Sequence, residues 1–188
     1  MKANQTGFCG SRSSGFTLME LMIALTILGV LLTLAIPSVR DLNLGANTVS
    51  KSNCLLGKLN SARAEAVKNA NNVRVSATGG IWNNGLTVAT DRNMNGAIDV
   101  GDGDILLQQG CEASTGFDWT AVTQPGGAAV TQLFYTPTGA LSTPAAGVWF
   151  KLVRPDRASF PERCKRVLVV ASGRAEANKG SIAQCAAA

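Results

Sequence analysis

GFTLMELMIALTILGVLLTLAI, residues 15–36, is the stretch that decides the architecture. From Phe16 to Ile36 it holds 21 residues with a single charged side chain, Glu20. A helix of that length is about 30 Å long, enough to cross the hydrocarbon core of a bilayer. The preceding residues 1–15 are polar and carry Lys2 and Arg12 but no acidic side chain. Basic residues ahead of an apolar helix hold that end in the cytoplasm, so the bulk of the chain is expected on the far side. A secretory signal has a shorter apolar run with a small-residue cleavage site after it. Here the run is too long, and Ala35-Ile36-Pro37 is a poor site of that kind. A carboxylate inside a membrane helix costs about 2.5–3.5 kcal/mol, so Glu20 is expected to have a function. It lies one turn after Phe16, where a helix N-terminus stabilises negative charge.

Composition narrows the function further. The chain has 188 residues, 46% hydrophobic and 15% charged, which favours one globular domain with a real core over disorder. It contains no histidine. That excludes Ser-His-Asp and Cys-His catalysis, His-ligated zinc and imidazole switching. With no nucleophile motif and no paired carboxylates in an apolar setting, an enzyme is not expected. The formal charge of +5 permits binding to nucleic acid or anionic surfaces without requiring it. The five cysteines, Cys9, Cys54, Cys111, Cys164 and Cys185, form no CxxC pair, which argues against a zinc knuckle or a thioredoxin-like motif.

Gly15-Phe16-Thr17-Leu18-Met19-Glu20, followed by an apolar helix and Pro37, resembles the class III signal of type IV pilins and pseudopilins. The resemblance implies that a prepilin peptidase cuts between Gly15 and Phe16 and methylates the new Phe16 amino group. It implies that Glu20 pairs with the Phe16 amino group of a neighbouring subunit during assembly, and that Pro37 marks a helix kink. A lone carboxylate in lipid gains much by meeting a cation in a low-dielectric seam. Cleavage removes Lys2, Arg12 and Cys9, leaving a charge of +3 and four cysteines, an even number in an oxidising periplasm.

Beyond Pro37 the helical pattern resumes. Leu55, Leu59, Ala62 and Ala66 form one stripe, with Asn60, Arg63 and Lys68 off it, and residues 69–72 end the helix. Short apolar or alternating runs then recur at 73–77, 85–90, 104–108, 131–135, 147–153 and 167–171, between turns such as Pro137-Thr138-Gly139 and Ser172-Gly173. Strands without intervening helices predict an antiparallel sheet or sandwich. The expected fold is α+β: a long N-terminal helix, transmembrane over 16–36 and amphipathic over 37–72, packed on a β-rich periplasmic head over 73–188, after a cleaved leader of 1–15.

Ser61-Ala62-Arg63-Ala64-Glu65-Ala66-Val67, the Asp-x-Asn-x-Asn-Gly hairpin within 85–106 and the closing Ser172-Gly173-Arg174 resemble the GspH/FimT group. That resemblance implies a minor type IV pilin helping to initiate or cap a pilus, with other pilin subunits as partners and the inner membrane as anchor. The alternative it carries is a type II secretion pseudopilin. A further one is a DNA-binding minor pilin for DNA uptake.

Three further sets of residues are candidates. Asp91, Asn93, Asn95, Asp99 and Asp102, with Gly96 for the sharp turn, follow the spacing of an EF-hand-type Ca²⁺ loop. The competing reading needs no cofactor: a hairpin connection in which these side chains satisfy backbone donors. Four mature cysteines allow three connectivities, of which Cys54–Cys111 with Cys164–Cys185 is preferred because a tail bridge pins a weak last segment. Finally, eight basic residues between Lys151 and Lys179 face three acids. Some relatives in the FimT group carry a Gly-Arg-x-Arg motif associated with DNA binding, whereas here the stretch reads Gly173-Arg174-Ala175-Glu176. Lys165, Arg166 and Arg174 are the contacts DNA would use, and a solvated surface is the competing reading.

Mass spectrometry of the membrane form is expected to show loss of residues 1–15 and a methyl group on Phe16. Gly15→Val is expected to leave the leader attached, whereas Gly15→Ala is cut.

Overall fold

The computed structural model describes residues 15–99, 101, 103–113, 116–124, 127–155 and 164–179, without the side chains at 34, 35, 37, 38 and 179. The chain divides into two compact units, Met1–Leu42 and Asn43–Ala188. One helix, α1 (Leu18–Asn69), enters both and runs through Pro37 without interruption. In the first unit every apolar side chain from Phe16 to Leu32 with a described side chain is exposed, Phe16 by 82%. Among the described residues no helix is long and apolar enough to cross a membrane.

In the second unit the helix buries one stripe. Thr48, Ser52, Leu55, Leu59, Ala62 and Ala66 recur every three or four residues and are all buried. The two polar members were not part of the predicted stripe. Their hydroxyls donate back to the Leu44 and Thr48 carbonyls at 2.6 and 2.8 Å, so each is satisfied within the helix and can be buried.

Nine strands follow among the described residues: β1 (Val73–Ala77), β2 (Leu86–Thr90), β3 (Leu106–Gly110), β4 (Asp118–Thr123), β5 (Gln132–Tyr135), β6 (Leu141–Thr143), β7 (Val148–Val153), β8 (Cys164–Val169) and β9 (Ala175–Lys179). They make two antiparallel sheets, ordered β3-β2-β1-β5-β6 and β4-β7-β8-β9. The fold is thus α+β, as expected. The predicted strand at 104–108 lies two residues later, because Asp104 is spent on the loop before it. The one at 167–171 begins three residues earlier, at Cys164. β4, β6 and β9 have no counterpart among the predicted strands.

One core joins the helix stripe to the inner faces of both sheets: Leu55, Leu59, Val73, Val75, Leu133 and Tyr135 with Trp119, Phe150, Leu152, Val167 and Val169. Trp82 anchors it. Its ring meets Phe150 edge-on at 4.9 Å, and its Nε1–H donates to the Val130 carbonyl at 2.6 Å.

The Cys54–Cys111 disulfide forms as predicted and ties α1 to the end of β3, with Cα atoms 5.8 Å apart. It closes a loop with a sequence separation of 57, which restricts the unfolded chain by about 4 kcal/mol. Cys54→Ser with Cys111→Ser is expected to lower the unfolding free energy by about that amount in denaturant titration.

Candidate functional site

The N-terminus of α1 is set by its own residues. Glu20 N–H donates to Thr17 Oγ1 at 3.2 Å, and Leu21 N–H donates to the Thr17 carbonyl at 3.1 Å. Thr17 is therefore the N-cap and Glu20 the third helical residue, the spacing of a capping box. Sequence reasoning took Glu20 for its charge and missed that Thr17-x-x-Glu20 also marks where the helix starts. Gly15 and Phe16 lie just outside it, and Phe16 and Glu20 are exposed.

At the far end of α1 three segments that looked unrelated in sequence meet at one atom. Arg63 Nε donates to the Gly139 carbonyl at 2.9 Å. Gly173, at φ +79°, sits against the same oxygen so closely that a Cβ there would overlap it. Gly139, at φ +78°, is crowded in turn: a Cβ on it would come within 2.9 Å of Val67 Cγ2. The Ala-Arg-x-Glu-Ala stretch, the Pro137-Thr138-Gly139 turn and Ser172-Gly173 thus form one joint between helix and both sheets. Leu141 N–H completes it by donating to the Ala171 carbonyl at 2.9 Å.

Beside this joint lies the chain's single tyrosine, Tyr135, fully buried, its hydroxyl without a hydrogen-bond partner among the described residues. Burial raises its pKa well above the phenol range, and the nearby Arg63 charge opposes that only in part.

The loop between β2 and β3 holds the Asx cluster. Asp91 is fully buried and its carboxylate is committed inside the protein: Oδ1 accepts from Asn95 N–H at 3.1 Å and Oδ2 from Gly96 N–H at 3.0 Å. Arg74 on β1 stands 3.5 Å from the same carboxylate and donates to the Gly96 carbonyl. Asn93 Oδ1 and Asn95 Oδ1 accept from Asn95 N–H and Ala97 N–H, and Asn95 Nδ2 donates to Asp99 Oδ2 at 2.5 Å. Asp104, absent from the predicted set, accepts from Arg92 N–H and Asp99 N–H and closes the loop. Asp102 lies outside the described residues.

The three basic candidates do not converge. Arg166 stacks on the Trp149 ring, 3.6 Å from its centroid, and partial burial lowers its pKa from the usual guanidinium value. Lys165, its neighbour on β8, takes the opposite face of the strand. Arg174 forms an ion pair with Glu176, the residue that stands where a second arginine would be.

The chain belongs to the family described as type II transport protein GspH, whose profile matches residues 52–173. The prokaryotic N-terminal methylation motif matches residues 10–36. It is a pilin-like subunit of the class that comprises minor pilins and minor pseudopilins. Its fold is similar to the type IV minor pilin FimU of Pseudomonas aeruginosa in two crystal forms. The first shares 18% identity at a TM-score of 0.55, covering 70% of this chain and 87% of that one. The second shares 19% at 0.52, covering 69% and 90%. The minor pseudopilin EpsH of Vibrio cholerae shares 12% identity at a TM-score of 0.49, over 71% of this chain and 97% of that one. No curated protein matches the sequence.

Gly173→Ala combines a left-handed backbone with an overlap on a backbone oxygen and is expected to destabilise by about 3 kcal/mol. Arg63→Ala is expected to cost about 1–2 kcal/mol, and the double variant less than the sum, since both act through the Gly139 carbonyl. Thermal and denaturant unfolding of the three variants checks this.

The raised pKa makes a second prediction, on the alkaline side. Tyr135 favours the folded state below the ordinary phenol pKa of about 10, and that contribution is lost as pH rises beyond it. With one tyrosine in the chain, ultraviolet absorbance is expected to show no phenolate until the protein unfolds. Tyr135→Phe is expected to extend stability to higher pH.

Proposed function

We propose that this chain is a minor type IV pilin, a structural subunit that helps initiate or cap a pilus and carries out no catalysis. One observation carries the reading: an apolar helix beginning just past Gly15-Phe16, exposed on every side within its own chain, with Glu20 in its first turn. Nothing in the second unit is needed to fold such a surface, so lipid and then neighbouring subunits are what cover it. A prepilin peptidase processes the chain after Gly15. The span 16–36 holds it in the inner membrane as a single pass, with the second unit in the periplasm. Pairing of Glu20 with a neighbour's Phe16 amino group drives assembly.

The periplasmic placement agrees with the Cys54–Cys111 bridge, since disulfides persist in oxidising compartments. Cys164 is also disulfide-bonded. The Cys164–Cys185 pairing expected from the sequence involves a residue outside the described ones. Arg74 and backbone N–H groups already engage Asp91, which supports reading the Asx loop as a hairpin connection over a Ca²⁺ site. Arg174 pairs with Glu176 and Arg166 stacks on Trp149, which supports a solvated surface over a DNA site.

The second reading, a type II secretion pseudopilin, is favoured by the description of the matching family. Deleting the chain from its own cells separates the two. A minor pilin is expected to be found in sheared pili, and its loss to reduce piliation while secretion of exoproteins continues. The opposite pattern establishes the pseudopilin. In either case Glu20→Ala is expected to insert normally but be depleted from filaments at least tenfold, and equal incorporation overturns the assembly role.

A further inference from the structure

The chain contains two Asn-Gly pairs, Asn84-Gly85 and Asn95-Gly96. In such a pair the second residue has no Cβ to shield its backbone nitrogen, which leaves that nitrogen free to approach the asparagine carboxamide. An attack on the carboxamide carbon needs three things. The carbon must be turned toward the nitrogen, the nitrogen's proton needs an acceptor, and the oxygen on which charge develops needs a donor.

The loop between β2 and β3 supplies all three to Asn95. Its exposed side chain curls back over Gly96, because Oδ1 accepts from Ala97 N–H at 2.7 Å. The same N–H is the donor that a developing oxyanion on Oδ1 requires. Gly96 N–H donates to Asp91 Oδ2 at 3.0 Å, so the attacking nitrogen already shares its proton with a carboxylate. That carboxylate is buried and held in place, with Asn95 N–H on Oδ1 and Arg74 beside Oδ2. Asn95 Nδ2, the group that would depart, donates to Asp99 Oδ2 at 2.5 Å and so lies on the side away from Ala97 N–H.

Asn84 offers the contrast. It closes the 3-10 turn Trp82–Asn84, and Gly85 N–H donates to the Trp82 carbonyl at 3.0 Å, an acceptor that takes no proton. One molecule therefore holds the same dipeptide in two settings, of which one is assembled for the reaction.

We propose that Asn95 is a self-modifying site. Gly96 N bonds to Asn95 Cγ, the Cγ–Nδ2 bond breaks, and the proton lost by Gly96 N, relayed by Asp91 and solvent, leaves on Nδ2 as ammonia. Water then opens the resulting five-membered imide at either carbonyl, giving aspartate or isoaspartate at position 95. Water is the one co-reactant. The product puts a carboxylate where the Nδ2 donor faced Asp99, so an attraction inside the loop becomes a like-charge repulsion. Conversion thus loosens, some time after folding, the loop that Arg74 and Asp91 fasten to β1. The inference goes beyond the pilin reading and does not rest on it.

The test incubates the full chain, purified in detergent, at neutral pH. Peptide mapping by mass spectrometry follows both pairs in one sample through the mass gained when the amide becomes an acid. Asn95 is expected to convert about tenfold faster than Asn84 in the folded chain, and the two to agree within about threefold in strong denaturant, where both settings are erased. Asp91→Asn, which removes the proton acceptor, is expected to slow Asn95 about fivefold without changing Asn84. Ala97→Pro, which removes the donor to Oδ1, is expected to do the same. A variant that unfolds declares itself by a rise at Asn84, and the comparison of the two pairs in the unchanged chain then decides. Equal rates at the two pairs in the folded chain, or slower conversion at Asn95 than at Asn84, overturns the proposal. So does an Asn95 rate that is unchanged or raised in a variant whose Asn84 rate stays native.

Discussion

The Arg63–Gly139 hydrogen bond is the point on which the second unit turns. Four of the six residues in the stripe from Thr48 to Ala66 are alanine, serine or threonine, so it offers little apolar area and allows close approach. A shallow stripe of this kind does not by itself fix how a helix sits on a sheet, because small side chains provide few ridges to lock. A guanidinium donated to one backbone oxygen, at a place where two glycines are stacked, does fix it. Both sheets reach that oxygen, one through the turn before β6 and the other through the turn before β9. The core then fills a space whose dimensions that joint has set.

The second constraint works at the other end of the same unit. Cys111 bonds to the helix, and Asn83 stitches the end of β3 to β4. Between these two fastenings the sheets need only bury their inner faces, and they do so with Trp119, Phe150 and Leu152 from one side and Val75, Leu133 and Tyr135 from the other. The cost of this arrangement falls on Tyr135, whose buried hydroxyl finds no hydrogen-bond partner among the described residues.

How far the sequence could be read depended on which residues carried the pattern. β1 is Val-Arg-Val-Ser-Ala and is bounded by turn residues, and its limits were legible to the residue. The last turn of α1 was legible for similar local reasons, whereas the Cys54–Cys111 pair was one preference among three connectivities, spanning 57 positions that carry no local signal. β9, Ala-Glu-Ala-Asn-Lys, has no β-branched or aromatic side chain and is a strand only because β8 pairs with it. β8 opens with Cys-Lys-Arg, whose two charges lie outside the apolar run that begins at Val167. β4 alternates correctly, but through Trp119 and Ala121, which read equally well as helix. The glycine joint was beyond reach: Gly139 and Gly173 announce turns, and only the fold shows that the two turns touch. The Asx loop illustrates the same limit. Its spacing was visible, yet the buried arginine that answers Asp91 comes from 17 positions earlier in the chain.

The cap at Thr17 has a consequence for reach. Helical geometry begins at Leu18, so a chain that started at Phe16 would have two residues and no spacer between its first amino group and the rigid rod. Two extended residues span at most about 7 Å, so the cap would hold that amino group close to the helix end. The junction would then work as a short leash on a charge.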